Sequence, residues 1–233
     1  MDRSDFSFSR DGFEIFPLLS VADFMVVKGF ALEMLGNLFR EYAGKELSEE
    51  ALLTYHLWGA EALVPHREML RAKNRHTQAN QAIRSLLVNQ ILEQRLRTIG
   101  ISNFRLWDEG LGWLAFRLVR PGPGDGYPFS CKNWGPAKEV LSIWIPILGF
   151  EQNVMIHLVP GSHLNEYPKY LPTDTHFTKD EYRLTYEPTE QESLRPIMQP
   201  GQALIFHPKT LHAEEVKRGS CTRLNLEFRL EPL

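Results

Sequence analysis

Hydrophobic positions along the chain change period near residue 100. Before that point they recur at three- and four-residue spacing, which predicts amphipathic helices. Phe24, Val27, Leu35, Leu38 and Tyr42 form one such stripe. Ser20 with Asp23 predicts its start, and Gly44 predicts its end. "SEEALLTYHLWGAEAL" predicts a second helix from Ser48. "QANQAIRSLLVNQILEQRLRTIG" predicts a third, with Ile83, Leu86, Leu87, Ile91 and Leu96 on one face and Gly100 as its stop. Ahead of these, "GFEIFPLL" (12–19) alternates and predicts a first, edge strand.

Beyond residue 100 the runs shorten and are punctuated by Gly and Pro. "NFRLWD", "GWLAFRLVRP", "EVLSIWIPIL", "NVMIHLVPG", "LRPIMQP", "QALIFH", "HAEEVK" and "CTRLNLEFRLEP" each predict a strand. Many short strands between turns predict a sandwich or barrel. Helices followed by strands predict an α+β arrangement with the helices on one sheet. In the last strand, Leu224, Leu226, Phe228 and Leu230 alternate with Arg223, Asn225, Glu227 and Arg229. Its apolar face should meet the helices, and its polar face should line a cavity or meet solvent. Trp113, Ala115 and Arg117 should share a face in the same way. The long polar stretch 174–194 reads as a solvated excursion that could also cover a pocket.

The length of 233 residues suits a single domain over 1–233, with a helical layer at about 12–100 and a strand-rich core at about 101–233. A net charge of -3 gives no reason to expect nucleic acid or an anionic membrane as partner. Runs such as "SIWIPILGF" are too short to span a bilayer. The first sixteen residues carry charge where a secretion signal needs an apolar centre. Cys131 and Cys221 make no disulfide framework, so a reducing cytoplasm is the expected location.

Candidate chemistry concentrates in three segments. In "GQALIFHPKTLHAEEVKRGSCTRLNLEF", His212 closes a loop and Arg223 follows on the next strand. A neutral imidazole at a strand edge can bind metal, and a guanidinium one hairpin away can grip a carboxylate. A loop histidine beside a surface arginine is the plainer reading. In "VPGSH", Ser162 and His163 follow a tight turn, where they cap the next segment or touch a ligand, and His163 reads as structural. His207 reads as a strand-end hydrogen-bonding residue, and His157 as core or cavity wall. Trp113, Tyr127 and Trp144 read as core that could line a pocket. Arg117 and Arg120 read as salt-bridge residues that could assist anion binding.

In order, "GFEIFPLL", "LSIWIPI", "VPGSH", "GQALIFHPKTLHAEE" and "TRLNLEFRL" resemble the phytanoyl-CoA hydroxylase (dioxygenase) family of iron(II)/2-oxoglutarate oxygenases. The resemblance runs from about residue 12 to the end and is sharpest from Arg117 to Leu230. It implies a double-stranded β-helix, a cupin-like jelly roll with helices packed outside. It implies His212 as the distal iron ligand and Arg223 as the partner of the far 2-oxoglutarate carboxylate. The family's other two ligands come as His-x-Asp or His-x-Glu, just upstream of the strand matching "LSIWIPI". Here "DGYPFSCKNWG" (125–135) puts Ser130 and Lys132 at those positions, and no His-x-Asp occurs anywhere in the chain. A hydroxyl is a poor iron(II) ligand, and an ammonium has no lone pair and repels the metal.

The segment admits several arrangements. A one-residue slip would turn Phe129 and Cys131 inward. Asp125 could fold back to supply a carboxylate. Lys132 could place its ammonium where the family holds iron, or reach solvent beside a vestigial pocket. The expectation is a dioxygenase-like protein with a degenerate iron site. It would bind a small anion, 2-oxoglutarate or a similar carboxylate, or perform non-oxidative chemistry. Lys132, Ser130 and His212 are then the catalytic candidates, and Arg223, Arg117 and Trp144 the ligand-binding ones. An active hydroxylase with an unusual ligand set, and a non-catalytic regulatory partner, are the alternatives.

Overall fold

A computed structural model describes residues 7–62, 77–107, 114–121, 129–132, 140–150, 155–167, 169–170, 181–184, 187–214 and 220–233. Asp125, Tyr127 and Trp113 lie outside them. The short helix α1 (Ser7–Asp11) leads into strand β1 (Phe13–Pro17). Helix α2 (Val21–Ala43) begins where the Ser20 hydroxyl accepts from the Asp23 N–H, and it ends at Gly44 in the left-handed conformation. Phe24, Val27, Ala31, Leu35 and Leu38 form its buried stripe.

The second expected helix divides into α3 (Glu49–Leu53), capped by Ser48, and a 3-10 segment (Tyr55–Ala62). The third is α4 (Thr77–Leu86) and α5 (Glu93–Thr98), joined by a π-helical turn (Leu87–Leu92). Widening to the i→i+5 pattern shifts the buried face by one residue. Ile83, Leu87, Leu92 and Leu96 are therefore fully buried, and Ile91 only packs against the core.

The strands form two antiparallel sheets. The first has the order β1, β9 (Gln202–Phe206), β5 (Leu141–Leu148), β11 (Arg223–Pro232), β2 (Phe104–Leu106), with β3 (Leu114–Val119) also pairing β11. The second has the order β6 (His157–Leu158), β10 (His212–Ala213), β4 (Ser130–Lys132), β8 (Glu181–Leu184), β7 (Lys169–Tyr170). The architecture is an α+β jelly roll. The segment 174–194 differs from the solvated excursion expected of it, because β8 lies within it and pairs the backbone of β4. Conversely, "LRPIMQP" supplies only an isolated bridge, Leu158 to Leu194.

Both faces of β11 are buried, for different reasons. Leu224, Leu226, Phe228 and Leu230 join the helices and β5 in the main apolar core. Arg223, Asn225 and Glu227 face the other way and are also buried. There they meet a second apolar cluster of Trp144, Met155, Ile156, Leu158, Met198, Leu204 and Phe206. No helix among the described residues is long and apolar enough to cross a membrane.

Candidate functional site in the jelly-roll interior

The site is built where β10 faces β11. His212 lies directly opposite Ser130 in the β10–β4 pairing, so both side chains project from one face of the sheet. Phe129, Cys131, Leu211 and Ala213 cluster together on the opposite face with Val159. His157 belongs to that outer side, paired with Ala213 and stacked on Phe129 at 5.7 Å. The His212 ring lies 5.0 Å from the Phe206 ring, which belongs to the other sheet's inner cluster.

The "VPGSH" segment holds His212 in place from outside the pocket. The Ser162 hydroxyl donates to the Val159 carbonyl at 2.6 Å and accepts from the Leu211 N–H at 2.9 Å. The Val159 N–H donates to the Leu211 carbonyl at 3.0 Å. The Thr210 hydroxyl donates to the Gly12 carbonyl at 2.9 Å, while the Thr210 carbonyl lies 2.8 Å from His212 Nδ1. A carbonyl only accepts, so Nδ1 carries the proton and Nε2 holds the lone pair of the neutral ring.

Arg223 is fully buried. Its Nε donates to Asn225 Oδ1 at 3.2 Å, and its guanidinium lies 5.3 Å from the Trp144 ring centre. Its Nη2 lies 3.6 Å from the buried Glu214 carboxylate, a contact that bridges the two sheets. Glu214 sits two residues beyond His212, so strand alternation puts them on one face. Arg195 adds a second guanidinium. Its Nη1 donates to the Met155 carbonyl at 3.3 Å. Burial, and then the charge of Arg223, push its pKa below the usual arginine value, with Glu190 opposing.

Two buried donors around Arg223 lack a hydrogen-bond partner among the described residues: Asn225 Nδ2 and Trp144 Nε1. The Asn225 assignment is firm, because its Oδ1 faces a donor-only guanidinium. Each such orphan costs about 1–3 kcal/mol unless an acceptor reaches it.

Backbone shape aims Arg223 into this interior. Pairing between β5 and β11 shifts between Leu224 and Asn225, which skips Ile147. A bulge of this kind redirects the neighbouring side chains. Gly149, at φ 72°, then lets β5 turn away beside Arg223. A Cβ there would lie 2.8 Å from the Thr222 carbonyl oxygen and 3.0 Å from Arg223 Cα. Gly149→Ala should therefore lower stability by about 1–3 kcal/mol in urea melts, through left-handed strain and backbone crowding.

The other candidates are placed as follows. Lys132 ends β4 with its backbone paired to Glu181, and its side chain lies outside the described residues. Arg117 donates from Nε to Glu227 at 3.0 Å, and Arg229 stands 3.8 Å from the same carboxylate. Arg120 lies over the Tyr55 ring, on the helical side. Glu214, Arg195 and Asn225 were not singled out from sequence. The alternation His-x-Glu in "HAEE" is the signal that could have found Glu214. Nothing local marks Arg195. Among the described residues there is no group of three or more His, Cys, Asp or Glu that could hold a metal ion.

His163 and His207 lie outside the pocket, with ring centres 5.5 Å apart at the seam with α1. His163 Nε2 lies 3.3 Å from the Ser9 carbonyl, and His207 Nδ1 accepts from the Lys209 N–H at 3.1 Å. Burial, then the charges of His163 and Lys209, push His207 down to about 4. Burial is also the main cause that lowers His163. The unfolded chain therefore binds more protons than the folded one between about pH 6.5 and 4. The stability linked to His207 is fully present above that window and is lost as pH falls through it. Urea melts at pH 7 and 4.5 should differ by about 1–2 kcal/mol from this source after solvent screening. His207→Gln should remove that part.

Residues 122–224 match the phytanoyl-CoA dioxygenase (PhyH) family. No curated protein matches the chain significantly. Among solved structures, the chain is similar to the non-heme monooxygenase ThoJ in its apo form (TM-score 0.56, 15% identity, covering 99% of this chain and 77% of that one). It is similar to the non-heme alpha ketoglutarate dependent carbocyclase SnoK from nogalamycin biosynthesis (0.56, 16%, 99% and 86%). It is also similar to AviO1 from Streptomyces viridochromogenes Tue57 (0.51, 15%, 99% and 95%). At these identities the likeness establishes the shared fold.

Proposed function

We propose that this chain, which belongs through its jelly roll to the phytanoyl-CoA dioxygenase family, binds a small anionic molecule at Arg223 without the family's iron. The observation that carries this reading is the pair of buried donors, Asn225 Nδ2 and Trp144 Nε1, set around a buried guanidinium. Donors in that arrangement call for an acceptor-rich group, and a carboxylate offers two oxygens to them and to Arg223 at once. Ser130 stands where the family would place its first histidine. A hydroxyl opposite His212 does not replace an imidazole as an iron(II) ligand. Lys132 at the family's carboxylate position adds a cation to the segment in place of a metal-binding anion. His212, held through Nδ1, presents Nε2 as the acid–base group for any non-oxidative step on the bound molecule.

The test is anaerobic titration with iron(II) and 2-oxoglutarate, beside calorimetry with 2-oxoglutarate alone. Carboxylate binding without the visible charge-transfer band of a chelated iron complex is expected. A stoichiometric band would overturn the iron-free reading in favour of an active hydroxylase. Failure to bind any carboxylate would favour a non-catalytic partner protein.

A further inference from the structure

We infer that Glu214 is a built-in carboxylate competitor that sets the affinity and selectivity of the Arg223 site. This rests on the reading that Arg223 anchors an anionic ligand. A carboxylate ligand needs the guanidinium edge, yet one nitrogen of that edge, Nη2, already faces the Glu214 carboxylate at 3.6 Å. Both partners are buried, at 0% and 3% side-chain exposure, so water screens the pair little.

The contact is loose for an ion pair. Charge-assisted N–H···O bonds lie near 2.7–2.9 Å in general. Glu214 therefore compensates the buried charge of Arg223 without closing on it. The second side of the guanidinium is held by Asn225 Oδ1 at 3.2 Å, and that contact leaves the Asn225 amide donor unsatisfied among the described residues. An entering carboxylate would satisfy Asn225 Nδ2 and Trp144 Nε1. It would also come close to a fixed negative charge that shares its counterion.

Two consequences follow for ligand choice. Each additional carboxylate on a ligand meets Glu214 with like charge, so dicarboxylates bind less well than the donor set alone would allow. A monocarboxylate bearing neutral acceptors suffers least. Glu214 therefore biases the Arg223 site toward a monoanion.

Calorimetry at fixed ionic strength, with 2-oxoglutarate and with its monoanionic counterpart 2-oxobutyrate as probes, tests this on the full chain. Glu214→Gln keeps the shape and removes the charge. It should tighten 2-oxoglutarate at least tenfold and 2-oxobutyrate clearly less, with Arg223→Lys weakening both in either background. Glu214→Asp keeps the charge but withdraws it by one methylene. It should tighten 2-oxoglutarate severalfold, and it decides the matter if Glu214→Gln does not fold. Wild-type binding left unchanged or weakened by the folded Glu214 variants would overturn the competitor role and leave the anion site standing. Absence of binding in wild type and both folded variants would overturn the anion site and the competitor together.

Discussion

Arg223→Met is expected to destabilise the protein by about 3–5 kcal/mol, as urea or thermal unfolding would show, and to abolish carboxylate binding. Both effects come from the same burial. Arg223 and Glu214 are removed from water on opposing sheets, and each is the other's charge partner at 3.6 Å. Removing the guanidinium strands the Glu214 carboxylate in the interior, beside an Asn225 whose Oδ1 has also lost its donor. The penalty is thus mostly that of an uncompensated charge, not of a lost attraction. Adding Glu214→Leu to Arg223→Met should therefore restore much of the stability, because an apolar pair leaves no buried charge. Ligand binding should not return. A single-variant loss below about 1 kcal/mol, or a double variant no more stable than the single, would show that the two residues are not coupled in this way.

What the sequence disclosed follows the reach of each physical signal. Periodicity located α2 and its caps, because Ser20, Asp23 and Gly44 act within one turn of the residues they cap. Alternation in β11 separated the helix-facing leucines from the inward Arg223, Asn225 and Glu227, because pleating is strictly local. The same local logic found the core-facing side of the third helical segment but left out Leu92, since a π turn adds a residue without a mark in the pattern. The strand within 174–194 was illegible because its partner, β4, lies about fifty residues earlier and pairs it through backbone. Within the site, family resemblance pointed to His212 and Arg223. The carboxylate that compensates Arg223 is set by sheet-to-sheet packing, and only the folded chain brings Glu214 across to it.

The converse substitution, Ser130→His with Lys132→Asp, is expected to create stoichiometric iron(II) binding. Ser130 and His212 are cross-strand partners, so an imidazole at 130 starts about 5 Å from His212 at Cβ, within the span of two ligands on one metal. Aspartate at 132 supplies the carboxylate that completes the two-histidine, one-carboxylate set. The cost is steric, since Ser130 is 1% exposed and a larger ring there should lower stability by about 1–3 kcal/mol. Anaerobic equilibrium dialysis reads the metal directly, and folding is checked by circular dichroism. The charge-transfer band with 2-oxoglutarate should be weak in this variant, because Glu214 still shares Arg223 with the ligand's far carboxylate. It should strengthen when Glu214→Gln is added. A folded double variant that binds no iron would show that Ser130 and Lys132 do not occupy the family's ligand positions. A strong band with Glu214 intact would instead show that Glu214 does not compete for Arg223. Metal recovery and ligand recovery therefore answer to different residues, and the two losses can be separated within one set of variants.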